Sequence, residues 1–194
     1  MASQFQHERD IPITKQSFPG KEYDMPNPQP TRDEVPGSSG HGETYRAAGK
    51  LRGKRAIITG GDSGIGASTA LLFAREGAVS TIAYLPEEEK DAQDTRNQIQ
   101  DNGGTCYLVA LDLSKCNQCL AKDIRVNAVA PGPVWTPLIP STMDDEAQEN
   151  FTSPMGRPAQ PSEIATCVVF LASPDSSCIS GQTIHCNGGT VVNG

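Results

Sequence analysis

One short segment, TGGDSGIG at residues 59–66, restricts the fold of this chain more than any other feature. The apolar run before it predicts a strand over Lys54–Thr59, and the apolar positions after it predict a helix over Ile65–Glu76 that ends at Gly77. A glycine-rich turn between a buried parallel strand and a helix is the context that nucleotide-binding α/β domains require. We refer to residues 59–66 as the glycine turn, and it predicts a doubly wound α/β fold.

The three spaced glycines of this turn have different tasks. Gly60 lets the chain leave the strand, Gly64 permits a phosphate to approach the backbone, and Gly66 allows the helix to pack near the sheet. The helix amides and the positive end of the helix dipole then face a pyrophosphate. Asp62 and Ser63 add hydrogen-bonding groups, although Asp62 serves equally well to shape the turn. We interpret the turn as a phosphate site in preference to a merely structural glycine turn.

Two further strands follow the glycine turn. Val79–Tyr84 and Thr105–Leu111 predict the second and third strands, with a helix between them that begins at Pro86. Glu87–Glu89 places negative charge at the positive end of that helix, which explains the acidic triplet without a metal ion. The apolar run Ala56–Ile58 predicts that both faces of the first strand are covered. This order of elements predicts half of a parallel nucleotide-binding sheet.

The motifs resemble those of the short-chain dehydrogenase/reductase family. Its signature T-G-x-x-x-G-x-G is matched in the glycine turn, and TGGDSGIG followed by YLPEEE resembles the glucose/ribitol dehydrogenase and general-stress oxidoreductase branch, which also has a Pro-rich N-terminal extension. IRVNAVAPGPVWTPL resembles the sixth strand and the loop at the nicotinamide end of the cofactor. The resemblance implies that Asp112 contacts the adenine of the cofactor. The implied cofactor-binding residues are Thr59, Gly60, Asp62, Ser63, Gly64, Ile65, Gly66, Asp112, Leu113, Pro131, Gly132, Val134 and Thr136.

The central segment of the family is missing from this chain. Only residues 114–123 separate the third strand from the segment that resembles the sixth, and the family's N-N-A-G sequence is not present. None of the four tyrosines is followed by lysine four positions later, so Y-x-x-x-K is missing as well. The resemblance therefore implies loss of the tyrosine that donates a proton, of the lysine that lowers its pKa, and of the catalytic serine. We assign no catalytic residue.

Loss of this segment predicts an incomplete Rossmann-type sheet that lacks two central strands and their helices. In the family order the third and sixth strands lie five spacings apart, about 24 Å. Because the strands are parallel, the connection must also return along the length of one strand, which brings the distance between the end of the third strand and the start of the sixth to about 30 Å. Ten fully extended residues span at most about 33–36 Å. Either the connection is stretched across the sheet, or the sixth strand moves next to the first. Both arrangements predict reduced stability.

The first fifty residues differ in composition from the rest of the chain. They contain six prolines, five glycines and few large apolar side chains, which predicts a largely disordered tail. The alternative is that a short segment with Phe18, Tyr23 and Met25 lies on the surface of the domain. We divide the chain into an extension, residues 1–50, and a shortened dinucleotide-binding domain, residues 51–194, composed of 51–113, a junction at 114–123, and 124–194.

Charge and hydropathy exclude several classes of partner. Sixteen basic and twenty-three acidic residues give a net charge of −7, which argues against a nucleic acid partner. No apolar run approaches the roughly 18 residues of a membrane span, and the start MASQFQHERD is polar, so we expect no membrane partner and a cytoplasmic location. The six cysteines are expected to be reduced. We interpret the C-x-x-C of Cys116 and Cys119 as accidental, because no further ligands complete a metal set.

The leading hypothesis is that the chain descends from NAD(P)-dependent oxidoreductases and is a shortened form with little or no activity. Without its tyrosine the family loses a general-acid contribution on the order of 10²–10⁴ in rate. The end of the second strand reads Ala83-Tyr84-Leu85, neither acidic nor basic, and the resemblance favours NADP over NAD. The family forms homo-oligomers, and a second hypothesis is a non-catalytic nucleotide-binding module that associates with full-length homologues. A third is a thiol redox protein that uses Cys116 and Cys119.

Overall fold

The computed structural model describes residues 4–5, 12–18, 20–27, 29–38, 41–112 and 125–192. This part of the chain contains seven strands and five α-helices. The strands are β1 (Glu34–Pro36), β2 (Gly42–Thr44), β3 (Arg55–Thr59), β4 (Val79–Tyr84), β5 (Thr105–Ala110), β6 (Ala128–Pro131) and β7 (Thr183–Cys186). The helices are α1 (Gly64–Arg75), α2 (Glu89–Asp101), α3 (Leu138–Thr142), α4 (Asp145–Glu149) and α5 (Pro161–Ala172).

Three parallel strands form the central sheet, in the order β3-β4-β5. The register places Ile57 of β3 opposite Thr81 of β4, which lies opposite Tyr107 of β5. Helices α1 and α2 connect these strands, and a 3-10 turn at Pro86–Glu88 precedes α2. The predicted strand–helix–strand–helix–strand unit is confirmed, with bounds that differ from the prediction by three residues at most.

The later strands do not join this sheet. β6 pairs with β7 in a separate parallel sheet, with Val129 opposite Ile184. Within the residues that the structure describes, neither β3 nor β5 pairs with β6, so the sheet is incomplete as predicted. The arrangement in which the sixth strand moves next to the first is therefore not formed there. The connection at residues 113–124 lies outside the described residues.

The hydrophobic core lies on one face of the central sheet. Side chains alternate between the two faces of a strand, and Ile58 and Ile82 point towards the helices together with Cys106 of β5. Leu71 of α1 and Ile99 of α2 pack against them. Complete burial of such a side chain contributes about 1.5–3 kcal/mol. This face therefore supplies most of the apolar stabilisation of the β3–β5 half.

Helix α1 also joins the two halves of the chain. Its residues Leu72 and Phe73 form a second apolar cluster with Ala165 and Val169 of α5, and Leu51 completes that cluster. Leu72 and Ala165 are fully buried. Because α5 precedes β7, this helix pair holds the β6–β7 sheet beside the central sheet, although no strand pairing between described residues connects the two sheets.

The opposite face of the central sheet is uncovered. Ile57 is 79% exposed and Tyr107 is 60% exposed, and Val109 is also exposed. The prediction that both faces of β3 are covered is wrong. The physical reason is the alternation of side chains: Ile57 points away from α1, towards a side on which none of the described helices packs. The sequence pattern of β3 is that of a strand buried on both faces, but the described helices cover only one of them.

The described residues of the extension contact the domain through specific side chains. Regular secondary structure there is limited to β1, β2 and a 3-10 turn at Glu22–Asp24, in agreement with its composition. Phe5 and Met25 are nevertheless buried, and Tyr45 Oη donates a 2.5 Å hydrogen bond to Glu76. Phe18 is exposed. The described segment thus corresponds to the alternative in which part of the extension lies on the domain.

Candidate functional site

The glycine turn connects β3 to α1 and is fixed to the neighbouring strand. Gly60 has a φ of +61°, and its amide donates a 2.8 Å hydrogen bond to the Ala83 carbonyl of β4. Ser63 has an extended backbone and precedes Gly64, the first residue of α1. The Ala67 amide donates to the Ser63 carbonyl, which closes the first turn of the helix. The beginning of α1 is therefore held close to the carboxyl ends of β3 and β4.

The structure shows why Gly66 carries no side chain. Its α-carbon faces the Gly60 carbonyl so closely that a β-carbon would overlap that oxygen. Gly61 is also confined, because a β-carbon there would meet Ile82 at about 2.9 Å. The close packing of the helix on the turn, predicted from the glycine spacing, is present.

Residues from both halves of the chain line one cavity of about 360 Å³. Ligand sites have volumes of roughly 300–1,000 Å³, so the cavity is large enough to hold part of a dinucleotide. Thr136 lies against Gly64, since a β-carbon there would be 3.1 Å from the Thr136 methyl group. The lining residues are Phe18, Gly20, Gly60, Asp62, Ser63, Gly64, Ile65, Gly66, Leu85, Glu88, Thr136, Pro137 and Leu138.

Seven of the residues predicted to bind the cofactor therefore lie around the same space. They are Gly60, Asp62, Ser63, Gly64, Ile65, Gly66 and Thr136. The first six come from the glycine turn, whereas Thr136 lies 70 residues after Gly66, in the loop that follows β6. The two sequence blocks that suggested a dinucleotide site thus meet, although their sheets are not paired.

The other predicted residues that the structure describes lie outside the cavity lining. Thr59 is the last residue of β3, and Pro131 is the last residue of β6. The Gly132 amide donates a 3.0 Å hydrogen bond to the Cys186 carbonyl, and Val134 is buried and forms a bridge with Ala159. Asp112 follows β5 and is half-buried, and Leu113 lies outside the described residues.

Two acidic side chains give the cavity a negative lining. Asp62 is 2% exposed, and its Oδ1 atom has no hydrogen-bond partner among the described residues. Burial raises the pKa of Asp62, and hydrogen bonds from its own amide and from Ser63 offset this only partly. Burial likewise raises the pKa of Glu88, and the nearby charge of Asp62 adds to that effect. A buried carboxylate with an unused oxygen is a group that a ligand hydroxyl can satisfy.

The backbone amides at the start of α1 offer donors to an anion. Within the described residues, the Ile65 and Gly66 amides donate no hydrogen bond. Unpaired amides at a helix N-terminus, together with the helix dipole, favour phosphate. The Gly64 amide differs from them, because it donates a 2.7 Å hydrogen bond to Glu22 of the extension.

Several lining residues were not predicted from the sequence. Leu138 and Pro137 follow Thr136 directly and could have been found by extending the loop motif by two residues. Phe18 and Gly20 belong to the extension, whose composition gives no signal for a contact with the glycine turn. Glu88 belongs to the acidic triplet that was explained by helix capping alone. Its place in the cavity depends on how α2 packs beside the turn.

No tyrosine lies among the residues that line the cavity. Tyr45 and Tyr84 donate 2.5 Å hydrogen bonds to Glu76 and Glu89, respectively. Burial, followed by the Glu76 hydrogen bond, raises the pKa of Tyr45, and the Glu89 hydrogen bond raises the pKa of Tyr84 to about 12. Tyr107 lies on the uncovered sheet face, and the ring of Tyr23 has Lys90 Nζ 3.5 Å from its centroid.

The described residues hold neither a cluster of metal ligands nor a membrane-spanning helix. They contain no group of three or more His, Cys, Asp or Glu side chains that could hold a metal ion. None of their helices combines the length and the apolar character needed to cross a bilayer. Cys116 and Cys119 lie outside the described residues, so the interpretation of the C-x-x-C as accidental stays a prediction.

Two family profiles match the chain one after the other. The profile described as short chain dehydrogenase matches residues 54–121, and the profile described as enoyl-(acyl carrier protein) reductase matches residues 108–191. The two matches overlap at residues 108–121. They therefore cover the glycine turn and the loop after β6 without a break in this chain.

The chain is also similar to oxidoreductases along nearly its whole length. General stress protein 39 of Bacillus subtilis is 32% identical, over 95% of this chain and 98% of that protein. Glucose and ribitol dehydrogenase of Daucus carota is 31% identical, over 94% of this chain and 97% of that protein. The first alignment runs over 289 positions and this chain has 194 residues, so at least 95 positions have no residue of this chain opposite them.

A solved structure shows the same fold. The angucycline C-6 ketoreductase LanV with bound NADP superposes with a TM-score of 0.64, covering 78% of this chain and 100% of that chain. The sequence identity is 18%. The likeness shows that the described elements follow a Rossmann-type arrangement despite the incomplete sheet.

Proposed function

The chain belongs to the short-chain dehydrogenase/reductase family, and on this premise we propose that it is an internally shortened oxidoreductase that binds a nicotinamide dinucleotide without efficient turnover. The observation that carries the proposal is the shared cavity, where the glycine turn meets Thr136. In this family the two sequence blocks bind opposite ends of the cofactor. Their meeting in this shortened chain supports a retained binding site.

The residues present fit a dinucleotide. The Ile65 and Gly66 amides are directed by the first turn of α1 and suit the pyrophosphate, and the close approach of Gly60 and Gly66 keeps that region free of side chains. The unsatisfied Asp62 oxygen suits a ribose hydroxyl. Thr136 and Leu138 form the part of the lining that would lie near the nicotinamide. When bound, the dinucleotide supplies or accepts a hydride.

The residues for proton transfer are missing, which is why we propose little or no turnover. A carbonyl that receives a hydride also needs a proton, and the family's tyrosine and lysine deliver it. Here two tyrosines have raised pKa values and are weaker acids: Tyr45 because it is partly buried and donates to Glu76, and Tyr84 because it donates to Glu89. Among the described residues that line the cavity, none is a tyrosine or a lysine that could replace the family's proton donor.

The choice between NADP and NAD depends on the cavity wall beyond β4. The family branch that the chain resembles favours NADP, and the similar ketoreductase LanV was solved with NADP. Glu88 supplies an acidic group in this wall, where a carboxylate would bind the ribose hydroxyls of NAD and oppose the extra phosphate of NADP. We propose NADP as the preferred cofactor, with Glu88 as the residue that limits its affinity.

A second candidate function is a non-catalytic module that associates with full-length members of the family. The uncovered face of the central sheet favours it, because Ile57 and Tyr107 expose apolar surface that complete Rossmann sheets cover. In this reading the extension at residues 1–50 and the shortened domain at residues 51–194 would act as one binding unit. Co-elution of the chain with a full-length homologue in size-exclusion chromatography would support this function.

Titration of the purified 194-residue chain with NADPH and NADH tests the proposed function, with cofactor fluorescence and melting temperature as readouts. Thr136→Trp, which fills the cavity, should abolish binding, and Thr142→Trp at the exposed end of α3 should not. Consumption of NADPH with aldehydes or sugars should stay at background. Lack of binding at millimolar cofactor would reject the proposed site, and steady turnover free of contaminating enzymes would reject the proposed inactivity.

A further inference from the structure

The Glu22 carboxylate lies directly behind the glycine turn. Its Oε2 atom accepts a 2.7 Å hydrogen bond from the amide of Gly64, the first residue of α1. Its Oε1 atom accepts a 2.7 Å hydrogen bond from Arg32 Nε. Glu22 is 3% exposed, so both contacts are shielded from water. A carboxylate at a helix N-terminus is further stabilised by the helix dipole.

A second carboxylate fixes the backbone that carries Glu22. The amides of Glu22 and Tyr23 donate hydrogen bonds of 2.9 and 3.2 Å to the two oxygens of Asp91, in the first turn of α2. Asp91 is also buried. The 3-10 turn at Glu22–Asp24 is thus anchored to α2, and the Glu22 side chain reaches α1 from a fixed position.

Arg32 extends the same network to the other side of the turn. Its NH1 group donates a 3.0 Å hydrogen bond to Thr95 Oγ1, and Thr95 Oγ1 donates a 2.8 Å hydrogen bond to the Asp62 carbonyl. The residues on both sides of Ser63 are therefore held: Asp62 through Thr95, and Gly64 through Glu22. The extension supplies Glu22 and Arg32, the ion pair at the centre of this network.

Glu22 supports the turn without filling the cavity. It is not among the residues that line the cofactor cavity, and instead lines a separate cavity together with Gln29 and Arg32. A carboxylate inside the anion site would repel a pyrophosphate. Here the Arg32 guanidinium balances the Glu22 charge, and the Ile65 and Gly66 amides stay available on the cavity side. The geometry therefore favours support of phosphate binding over competition with it.

The extension also reaches the other wall of the cavity. Gly20, with a φ of +80°, packs against the Pro137 carbonyl and the Ser141 side chain. The Gln16 amide donates a 2.9 Å hydrogen bond to the Pro140 carbonyl. Gln16 and Gly20 thus contact α3 and the residue before it, and Glu22 contacts the start of α1, so described residues of the extension contact both halves of the site.

We infer that Glu22 is a positioning residue for dinucleotide binding, and that the N-terminal extension is a component of the cofactor site. Glu22 fixes the Gly64 amide, and through it the orientation of the next two amides of α1. The ordering of the turn then precedes cofactor binding, which lowers the entropic cost of binding. This inference rests on the proposed dinucleotide function.

The test compares Glu22→Ala and Glu22→Gln with Asp24→Ala, which removes an exposed carboxylate from the same 3-10 turn. Hydrogen exchange of the Gly64 amide is measured first, in the full chain without cofactor. Loss of a hydrogen bond to a charged group should speed this exchange and weaken NADPH binding, each by about tenfold or more in Glu22→Ala. Glu22→Gln keeps an oxygen acceptor and should show a smaller effect, and Asp24→Ala should match the unmodified chain.

The two readouts separate the inference from the proposed function. Unchanged Gly64 exchange in both Glu22 variants would overturn the inference even where the unmodified chain binds NADPH. Faster exchange with unchanged NADPH affinity would also overturn it, because the turn would then not need Glu22 to bind. If the unmodified chain binds no NADPH, the proposed function fails. Melting curves identify a variant that fails to fold, and in that case Glu22→Gln decides the outcome.

Discussion

The carbonyl oxygen of Gly60 faces the α-carbon of Gly66 across the glycine turn, with no space between them for a side-chain atom. The strand end and the first turn of the helix are therefore packed backbone against backbone. Both residues are glycine for different reasons. Gly60 has a positive φ with open space around its α-carbon, whereas Gly66 is confined by its neighbour.

This difference predicts unequal effects of alanine substitution. Gly66→Ala forces the start of α1 away from the turn and should cost about 1–3 kcal/mol of unfolding free energy or more, with loss of NADPH binding. Gly60→Ala only strains a left-handed residue, at about 1–2 kcal/mol. Urea denaturation and NADPH titration measure both effects. The packing argument would be wrong if Gly66→Ala bound NADPH as tightly as the unmodified chain.

Cofactor selection gives a second prediction. Glu88 lines the cavity, and burial raises its pKa, so removal of its charge should relieve repulsion of the additional phosphate of NADP. Glu88→Gln is expected to increase the affinity for NADPH several-fold relative to that for NADH, about 1 kcal/mol. The exposed neighbour Glu87 serves as the control in Glu87→Gln. An unchanged ratio of the two affinities would show that Glu88 does not contact this part of the cofactor.

The β3–β5 half of the fold was predictable because its signals are local. Strand runs, the glycine spacing and the helix ends each depend on neighbouring residues, and the bounds of β4 were predicted to the residue. The exposure of Ile57 could not be predicted in this way. Its sequence context is that of a strand buried on both faces. The side chain is exposed because none of the described helices packs on its side of the sheet, and the placement of helices cannot be read from the neighbouring residues.

The site was predictable only where a motif is contiguous. Of the seven lining residues that were predicted, six come from the glycine turn and one, Thr136, from the loop after β6. The role of Glu22 was not predicted, because a single glutamate in a Pro-rich extension belongs to no periodic pattern and to no spaced motif. Its role depends on hydrogen bonds to Gly64 and Arg32, which are distant from each other in sequence and meet only in the folded chain.

The uncovered sheet face leads to a third prediction. Ile57 is 79% exposed, so Ile57→Thr should change the free energy of unfolding by no more than about 0.5 kcal/mol. Its neighbour on the other face, Ile82, is fully buried, and Ile82→Ala should cost about 2–5 kcal/mol. Light scattering should also show less self-association in Ile57→Lys. A loss of more than 2 kcal/mol in Ile57→Thr would indicate that this face is covered in solution.

Thiol reactivity gives a fourth prediction. Cys167 and Cys186 have their Sγ atoms 2.9 Å apart, and burial, together with this contact, raises the pKa of Cys186 to about 12. Burial raises the pKa of Cys106 to about 11. At pH 8 iodoacetamide should therefore label the exposed Cys178 first, and Cys106 and Cys186 slower by a factor on the order of 10²–10³. Peptide mass spectrometry resolves each site, and equal labelling in urea is the control.

The buried Asp62 makes stability depend on pH in a defined direction. Burial raises its native pKa above the ordinary 3.8, so the native state holds the proton more tightly and the folded chain loses stability as pH rises from 3.8 through the native pKa. Asp62→Asn removes this loss. The variant should therefore be more stable than the unmodified chain at pH 7.5, and its advantage should shrink as pH falls towards 4 in urea denaturation. Asp24→Asn, at an exposed position, should show no such trend. If the stability advantage of Asp62→Asn instead grew towards low pH, the fold would stabilise the Asp62 carboxylate. That outcome would contradict an unsatisfied oxygen available to a ribose hydroxyl.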